Sequence, residues 1–474
     1  MEQVADDFES SATIIWAQPN YIYTLQGSPN DTYYLGYQWN MRMIQFDDIF
    51  PNITGNSDVI ITVIDSGIDL DHPDLVEAIW TNANEIPNNS IDDDNNGYVD
   101  DIYGWNFIND TNDIDDDNNH GTHVAGIAVA KANNQLGIAG VCSGCTVMSL
   151  KAADQNGDLT STSISNALSY AIDNGSSIIN LSFGAHQAYV SQEMLIKNSI
   201  DIALANNCLV IAAAGNFAQN IDTNPFIPAS YDGVIAVAAV NESGLFADNY
   251  SNYGNRIDIS APGGSGIGDS EQDIFSTFPN STYDFLHGTS MAAPHIAGII
   301  GLLVSVYPDI SPTDVKDTLF NSANDLGDSG KDDFYGYGLL AVKNAITYLD
   351  SNVLIQDITV STTLKVFGPN GENSSILNGP NPFNPIQEAT FIQYELSKDA
   401  TVELHIHSIS GEKVWSRYFG LGDVSGSSTG FHSVEWSGKN NFGNYVASGP
   451  YLIYLVANSD GETVIETTKI LVLK

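Results

Sequence analysis

The 474-residue sequence predicts an α/β domain with a mostly parallel β-sheet flanked by helices, followed by a small all-β sandwich domain. Between residues 59 and 259, short Val/Ile/Ala runs alternate with helix-length segments. Such runs are typical of strands buried on both faces. From residue 378 onward, short alternating strands separated by Gly, Asn and Pro replace this pattern. Hydrophobic residues make up 43% of the chain, which excludes a disordered protein.

The elements of the first domain, residues 28–350, follow one another in a regular order. The predicted strands are VIITVID, CTVMSLKAA, SSIINLSFG, CLVIAAAGN, GVIAVAAVN and RIDISAPG. The predicted helices cover residues 120–132, 160–174, 192–206, 291–307, 311–321 and 338–349. We expect residues 351–377 to form a strand and a linker, and residues 378–474 to form the β-sandwich.

The charge balance excludes several classes of partner. Lys and Arg total 15 against 58 Asp and Glu, a formal net charge of −43. This charge repels nucleic acid and anionic membranes, and it favours solubility and the binding of hard cations such as Ca²⁺. No run of 18 apolar residues suggests a membrane span. We therefore expect a soluble monomer with neither a nucleic-acid partner nor a membrane segment.

Three cysteines do not form a disulfide framework. Cys142 and Cys145 form a C-x-x-C, but a redox or zinc role would need a second Cys/His pair or a thioredoxin-like context. The interpretations left open are a local disulfide and two packed thiols. Cys208 lies in an apolar run and is expected to be a small buried hydrophobic residue.

Three glycine-rich segments carry side chains that suit a single reaction. They are Asp65 in VIDSGID, His120 in NHGTHVAG and Ser290 in HGTSMAAPH. A serine nucleophile needs a base to take its proton, and that base needs a carboxylate to fix its tautomer and steady the imidazolium. The chain order Asp, His, Ser belongs to one of the unrelated triad scaffolds. Ser290 is expected just before a buried helix, whose N-terminus offers free N–H groups.

The first 350 residues resemble the subtilisin-like (subtilase) serine proteases, and the thermitase branch among them. The match rests on DSGIDLDHPDL, HGTHVAGI, NLSFG, AAAGN, IPASYDGVIAVAAV, ISAPG and GTSMAAPH. The resemblance implies a secreted serine endopeptidase in which Asp65 is the triad carboxylate, His120 the general base and Ser290 the nucleophile. Asn216 matches the oxyanion-hole amide, which would act together with the Ser290 backbone N–H. Three further histidines match structural positions of the family: His72, His123 and His295.

The same resemblance implies that a peptide or protein substrate binds as a strand between two edge segments of the enzyme. The candidate substrate-binding residues in those segments are Gly157, Asp158, Leu159, Ser182, Phe183 and Gly184. Pairing through the backbone does not distinguish the side chains of the substrate, so we expect the enzyme to cleave a broad range of sequences. Phe226 falls where the family lines the floor of the P1 pocket, and its ring predicts a shallow apolar pocket.

The resemblance also implies a structural calcium site in the segment NNQLGIAG. Its ligands would be Asn134 and Asp74, with Asp31 as an N-terminal ligand. The backbone carbonyls of the same loop would complete the site: Ala132, Leu136 and Ile138.

A second calcium site is predicted in the inserted segment IDDDNNGYVDD. Asp92, Asp94 and Asn96 follow the pattern D-x-[DN]-x-[DN]-G that begins an EF-hand-type loop. No Glu stands at the twelfth position, and Asp100 and Asp101 are candidates to substitute for it. The alternative is an acidic solvated loop. We favour calcium because a glycine stands where the sharp turn is needed.

The two ends of the chain also resemble known segments. Residues 1–27 resemble the end of the family's propeptide, which would make the chain's own propeptide a partner. Residues 378–474 resemble the β-sandwich sorting domains of the type IX (Por) secretion system, through NPFNP, SISGEKV, GFHSVEWSGKNNFGNYVASGPYLIYL and TKILVLK. This implies the type IX machinery as a partner and a secreted or cell-surface protein. Flagellar hook-capping domains share the same sandwich. Because MEQVADDFES has no signal-peptide pattern, export would imply a longer precursor.

One strand of the predicted sandwich carries an H-x-H pattern. In residues 401–407, Val402, Leu404 and Ile406 are expected to point inward and Glu403, His405 and His407 outward. A pair of histidines on one strand face can bind a metal ion. Without a third ligand, the favoured interpretation is an ordinary solvated sheet face.

Two other functions remain as alternatives to a protease. A non-catalytic binding protein on a protease scaffold should have lost a triad residue or Asn216, and all four are present. A surface-anchored adhesion module built on the C-terminal sandwich should show an exposed aromatic or metal-binding patch.

Overall fold

The computed structural model describes residues 27–190, 194–267, 271–356, 366–367, 377–379, 384–386, 389–408, 413–441, 443–459 and 462–473. The chain divides into two compact units, Met1–Ser351 and Asn352–Lys474. Residues 1–26 of the predicted propeptide segment lie outside the described residues, and so do residues 357–365 and 368–376 of the predicted linker.

A six-stranded parallel sheet forms the centre of the first unit. Its strands lie in the order β2-β1-β3-β5-β7-β8. The strands of this unit are β1 (Ile60–Asp65), β2 (Thr146–Lys151), β3 (Ile178–Leu181), β4 (Ala185–His186), β5 (Leu209–Ala213), β6 (Phe226–Ile227), β7 (Ile235–Val240), β8 (Ile259–Pro262), β9 (Ile274–Phe278) and β10 (Thr282–Leu286). β9 pairs with β10, and β4 with β6, as small antiparallel ribbons. The six predicted sheet strands are the six observed ones, so the α/β fold class is confirmed.

The helices of the first unit are α1 (Tyr34–Tyr37), α2 (Trp39–Met43), α3 (His120–Val129), α4 (Ser161–Asp173), α5 (Leu195–Ala205), α6 (Thr289–Val306), α7 (Pro312–Ser322) and α8 (Val342–Gln356). α4 and α7 begin where their capping residues predict, because Thr160 and Ser311 each accept a hydrogen bond from the backbone N–H three residues on. α8 begins at Val342 rather than Gly338, because Gly338 and Leu340 hydrogen-bond to Ser260 beside the sheet. The same helix runs past residue 350 into the segment predicted as a linker.

α6 is the central helix of the first unit. It is long and apolar enough to cross a membrane, with a mean hydropathy of 1.6, but 83% of it is buried inside the protein. It contacts α3 and strands β1, β3, β5, β7 and β8. The helix begins at Thr289, two residues earlier than predicted, so Ser290 lies in its first turn.

The two neighbouring cysteines form a disulfide. Cys142 and Cys145 are bonded to each other and buried. This settles the choice that the sequence left open in favour of the disulfide. Cys208 is a buried free thiol, as expected.

The second unit is built from two antiparallel sheets over one shared core. Its strands are β11 (Val366–Phe367), β12 (Leu377–Gly379), β13 (Thr390–Leu396), β14 (Thr401–Ser408), β15 (Lys413–Phe419), β16 (Gly430–Trp436), β17 (Gly449–Ser459) and β18 (Glu462–Val472). β13 pairs with β11, β12 and β16, and the second sheet has the order β15-β14-β17-β18. Inward residues of both sheets, such as Tyr394, Trp436, Leu404 and Ile453, meet in one cluster. The predicted small all-β domain is confirmed.

Candidate active site

The functional side chains gather where the parallel strands end. Asp65 is the last residue of β1, Ser182 directly follows β3, and Asn216 comes three residues after β5. Because β1 pairs with β3 and β3 with β5, all in parallel, these residues share one edge of the sheet. Ser290, in the first turn of α6, is hydrogen-bonded to Ser182. The fold therefore brings together segments separated by more than 200 residues of sequence.

Asp65 and His120 form a hydrogen-bonded pair. His120 Nδ1 lies 2.8 Å from Asp65 Oδ1 and 3.0 Å from Oδ2. The carboxylate side chain is 5% exposed, whereas the imidazole is 30% exposed, so one side of the ring faces solvent. Burial by itself lowers the pKa of His120, but the charge and hydrogen bond of Asp65 outweigh it, and the pKa is raised above 6.5. The arrangement suits a base whose protonated form is stabilised by the carboxylate behind it.

Ser290 is held against the end of β3. Its Oγ donates a hydrogen bond to the Ser182 carbonyl at 2.8 Å. Ser182 Oγ in turn donates to the Ser290 carbonyl at 2.8 Å and accepts from Asn180 Nδ2 at 2.9 Å. These bonds fix the first turn of α6 beside the sheet. The Ser290 hydroxyl must leave the Ser182 carbonyl before it can donate to a base.

The Asn216 side chain is oriented by its neighbour in α6. Asn216 Oδ1 accepts from the backbone N–H of Thr289 at 2.9 Å and from Thr289 Oγ1 at 2.8 Å. Thr289 Oγ1 also accepts from the N–H of Gly215 at 3.0 Å. Because both donors occupy the oxygen, the amide Nδ2 is left to donate elsewhere. The sequence analysis missed Thr289, although it directly precedes the predicted nucleophile.

A buried polar network lies behind the Asp65–His120 pair, and the sequence analysis missed it too. Ser66 Oγ donates to Asp116 Oδ1 at 2.8 Å and accepts from a backbone N–H at the start of α3. Lys151 is 2% exposed, and its Nζ donates to the Ser66 carbonyl and to Asp117 Oδ1, which is 2.6 Å away. A lysine inside an apolar strand run was the available signal.

Burial raises the pKa of Asp116, but hydrogen bonds from Thr122, Asn118 and Ser66 outweigh it and lower the pKa below 3.8. The carboxylate therefore stays ionised, and it holds the turn that leads into His120.

A cleft of about 190 Å³ opens beside the pair. Its walls include Asp65 and His120 together with residues of the two predicted substrate-binding segments: Gly157 and Leu159 from the first, Ser182 and Phe183 from the second. Asp158 is exposed, and its backbone closes a turn with Asp154. The structure thus brings both edge segments to the Asp65–His120 pair.

The Phe226 ring is buried next to Gly184 and Gly215. A Cβ at Gly184 would lie 2.4 Å from Phe226 Cε1, and one at Gly215 would lie 2.9 Å from the same ring. Both positions therefore need glycine so that the backbone can approach the ring. Phe226 also contacts the rings of His186 and Phe217, at centroid distances of 5.3 and 5.8 Å.

Two buried carboxylates lie under the loop predicted to bind calcium. Asp74 is fully buried and Asp31 is 5% exposed. Asp74 accepts from Asn134 Nδ2, the Ile138 N–H and the Tyr283 hydroxyl, all within 2.9 Å. Burial raises the pKa of Asp31 above 3.8, against the opposing hydrogen bonds of the loop backbone. Among the described residues, neither carboxylate forms an ion pair with Lys or Arg.

The other loop residues predicted as ligands are Ala132, Leu136 and Ile138, and Leu136 O accepts a hydrogen bond from Thr32 N.

The second acidic segment converges on a residue that the sequence analysis missed. Ligand oxygens of Glu85, Asp92 and Asp94 lie within 4.8 Å of one another. Asp100 does not join this group, because its carboxylate accepts from the backbone N–H groups of residues 89 and 90. Asp101 bonds to Asn82, Asn96 and Tyr170. Glu85 lies before the aspartates, so a search for a closing Glu after them could not find it.

The three histidines predicted to be structural are buried and bonded to the protein. His72 Nε2 lies 3.0 Å from Thr282 O and His123 Nε2 lies 3.0 Å from Ile274 O. His295 Nδ1 donates to Met291 O, and its Nε2 accepts from Asn40. Burial lowers the pKa of His123 to about 3 and that of His295 to about 4. His123 and His295 are thus neutral in the folded protein near pH 7.

Comparison with known proteins agrees with this geometry. Residues 56–338 match the Subtilase family. The thermophilic serine proteinase of Bacillus sp. (strain AK1) is 36% identical over 348 residues, 73% of this chain and 76% of that protein. Thermitase of Thermoactinomyces vulgaris is 31% identical over 68% of this chain and 100% of its own. The crystal structure of a lanthipeptide protease superposes with a TM-score of 0.58 and 26% identity, over 69% of this chain and all of its own. The chain belongs to the subtilase family and is a subtilisin-like serine protease.

Proposed function

We propose that the protein is a secreted, calcium-stabilised serine endopeptidase that hydrolyses peptide bonds through Asp65, His120 and Ser290. The observation that carries the proposal is the Asp65–His120 pair, which lines the same cleft as Ser182, the residue bonded to Ser290. These contacts support a base, its carboxylate and a nucleophile that act on one bound substrate.

Catalysis begins when the Ser290 hydroxyl turns from the Ser182 carbonyl towards His120 Nε2. Ser290 Oγ attacks the peptide carbonyl carbon while His120 takes its proton, and the carbonyl π electrons move onto oxygen. Collapse of this intermediate breaks the C–N bond, and His120 gives the proton to the departing amine. Water, deprotonated by His120, then attacks the acyl-enzyme. The bond between the acyl carbon and Ser290 Oγ breaks, His120 returns the proton to Oγ, and the acid is released. Throughout, Asp65 holds the ring through Nδ1 and stabilises the imidazolium.

Asn216 supplies a donor for the oxyanion. Its Oδ1 is occupied by Thr289, which supports an Nδ2 directed at the tetrahedral intermediate. The N–H of Ser290 lies in the first turn of α6, where helix geometry leaves N–H groups without an intrahelical acceptor. Two such donors stabilise charge that develops only in the transition state.

The substrate lies as a strand between the segments containing Gly157 and Ser182. Hydrogen bonds to the substrate backbone there fix the orientation of the substrate, and its side chains enter shallow pockets. Phe226 fills the space between two glycine-containing walls, Gly184 and Gly215. We therefore infer a preference for small P1 residues such as Ala or Ser.

Calcium binding at the loop of Asn134 is supported by the uncompensated charge of Asp31 and Asp74. Burying carboxylates without a cationic partner is costly, and a hard cation with oxygen ligands removes that cost. Side-chain oxygens of Asp31, Asp74 and Asn134, with loop carbonyls, would hold the ion. Rotation of the Asn134 amide would present its oxygen instead of its nitrogen to the ion.

The second site would use Glu85, Asp92 and Asp94 together with Asn96. Three carboxylates within 4.8 Å of one another repel when no cation lies between them. Glu85 would supply the carboxylate that the closing Glu supplies in an EF-hand-type loop. In this chain, however, the Glu precedes the aspartates instead of following them.

Export is supported by the second unit. Its two-sheet architecture fits the sorting-domain resemblance, and much of the matching sequence lies in the described strands β16 and β17. The motif at residues 381–385 and the centre of the one at residues 408–414 lie largely outside the described residues. The acidic surface suits a secreted protein in a saline or calcium-containing medium. The propeptide and the type IX machinery remain the partners that the resemblance implies.

Labelling with a fluorophosphonate distinguishes this enzyme from a non-catalytic binding protein or an adhesion module. The native protein should become labelled on Ser290, as mapped by mass spectrometry, and the heat-unfolded protein should not. Ser305→Ala, a change on the same helix away from the cleft, is the matched control and should label normally. Absence of labelling in the folded protein would contradict the proposal.

A further inference from the structure

The second unit presents three metal-ligating side chains in a row, away from the catalytic cleft. Strand β14 alternates inward Val402, Leu404 and Ile406 with the residues between them. Glu403, His405 and His407 therefore share the opposite face, at spacings of about 6.6 Å along the strand. Each is half-buried rather than fully solvated.

Two of these groups, Glu403 and His405, already lie at a distance that suits one ion. His405 Nε2 lies 3.0 Å from Glu403 Oε2. Two ligands that are each about 2.0–2.1 Å from a tetrahedral ion lie about 3.3 Å apart, so a small shift accommodates the ion. The rings of His405 and His407 are edge to face, with centroids 6.2 Å apart. Binding of one ion by all three residues requires both rings to rotate so that one nitrogen of each points to a common position.

The surroundings leave the His405 ring short of hydrogen-bond partners. The His405 side chain is 18% exposed, and its Nδ1 is buried with no partner among the described residues. The ring thus makes one polar contact, with Glu403, where a buried imidazole ordinarily makes two. Tyr454 lies opposite His405 in the register, and its ring packs against His407 at 5.2 Å. Such packing limits the rotamers of the row and partly pre-organises it.

We propose that Glu403, His405 and His407 form a zinc site with one position open to water. Two imidazoles and one carboxylate are a common ligand set for Zn²⁺, whereas Ca²⁺ prefers an all-oxygen cage. The carboxylate also neutralises half of the ion's charge. Glu403, on the same strand face, supplies the third ligand that the H-x-H pattern alone lacks. The proposal does not depend on the triad or on the calcium sites.

The test measures Zn²⁺ binding to the full chain carrying Ser290→Ala, which prevents self-digestion. Millimolar Ca²⁺ keeps Zn²⁺ from the all-oxygen sites, and competition with a chromophoric chelator gives the stoichiometry and Kd. We expect micromolar or tighter binding to this site. The double variant His405→Ala/His407→Ala should bind one Zn²⁺ fewer per chain, and Glu403→Gln should bind it at least tenfold more weakly. Glu435→Gln, which removes an exposed carboxylate from β16, is the control and should bind as the parent does.

Folding of each variant is checked by far-UV circular dichroism without metal. Co²⁺ in place of Zn²⁺ should give visible absorption bands of tetrahedral intensity in the parent and lose them in the double variant. Equal stoichiometry and Kd in the parent and the double variant would overturn the proposal, because the zinc would then lie elsewhere, for example at the Asp65–His120 pair. A failure of Glu403→Gln to weaken binding would overturn the three-ligand site.

Discussion

His120 Nδ1 lies 2.8 Å from Asp65 Oδ1, although 55 residues separate the two along the chain. The contact exists because β1 ends at Asp65 and α3 begins at His120, at the same edge of the parallel sheet. It determines both the tautomer of the imidazole and the pH at which the ring is neutral.

The pH dependence of catalysis should therefore move when Asp65 is replaced. A general base must be neutral, so kcat/KM rises with pH through the pKa of His120, which Asp65 raises. In Asp65→Asn the carboxylate no longer raises the pKa of His120, whereas burial still lowers it. The midpoint of the acidic limb of the kcat/KM–pH profile should therefore shift to lower pH. Turnover should fall by about 10⁴ because the tautomer is no longer fixed. A full kcat/KM–pH profile checks this, with Asp201→Asn as a control of equal charge. An unmoved acidic midpoint would mean that another group controls it.

Replacing Asn216 with Leu should lower kcat by roughly 10² to 10³ and leave KM nearly unchanged. The reason is that the amide would bind the oxyanion of the intermediate and not the ground-state carbonyl. Steady-state kinetics on a chromogenic peptide measure both constants, with Asn224→Leu in the same loop as the control. A rise in KM at constant kcat would make Asn216 a binding residue instead.

The size of the P1 pocket should depend on Phe226. Phe226→Ala removes the ring packed against Gly184 and should raise kcat/KM for a Phe P1 peptide by about 10- to 100-fold relative to an Ala P1 peptide. Phe217→Ala changes a more exposed ring of the same cluster and is the matched control. If the wild-type enzyme already prefers large P1 residues, or if Phe226→Ala does not change the preference, the ring does not limit the pocket.

Calcium should stabilise the folded protein. A cation that binds only the folded form adds about 2.7 kcal/mol at a hundredfold excess over its Kd. In the Ser290→Ala background, chelation should lower Tm and Ca²⁺ should restore it better than Mg²⁺, which tolerates irregular oxygen cages poorly. Asp74→Asn and Asp92→Asn should each remove part of the calcium-dependent shift, whereas Asp201→Asn should not. Identical melting curves in chelator and in millimolar Ca²⁺ would show that neither acidic segment binds calcium.

The parallel sheet and the Asp65–His120 pair were predictable because strand periodicity and motif residues are local properties of a sequence. The start of α6 was not, since Thr289 is helical for a tertiary reason: its side chain and N–H both bond Asn216 from another element. Glu85 was missed because a loop that folds back can supply a ligand from either direction along the chain. Lys151 could be recognised in the sequence as a lysine within a strand. Its partners Ser66 and Asp117 could not be predicted, because only the folded chain brings them together.

The most direct test of the proposed mechanism is the turnover of Ser290→Ala on a peptide substrate, measured beside wild type and Ser305→Ala. The proposed mechanism predicts a loss of about 10⁴ to 10⁶ in kcat for Ser290→Ala and none for Ser305→Ala. Peptide hydrolysis by purified Ser290→Ala at the wild-type rate would contradict it.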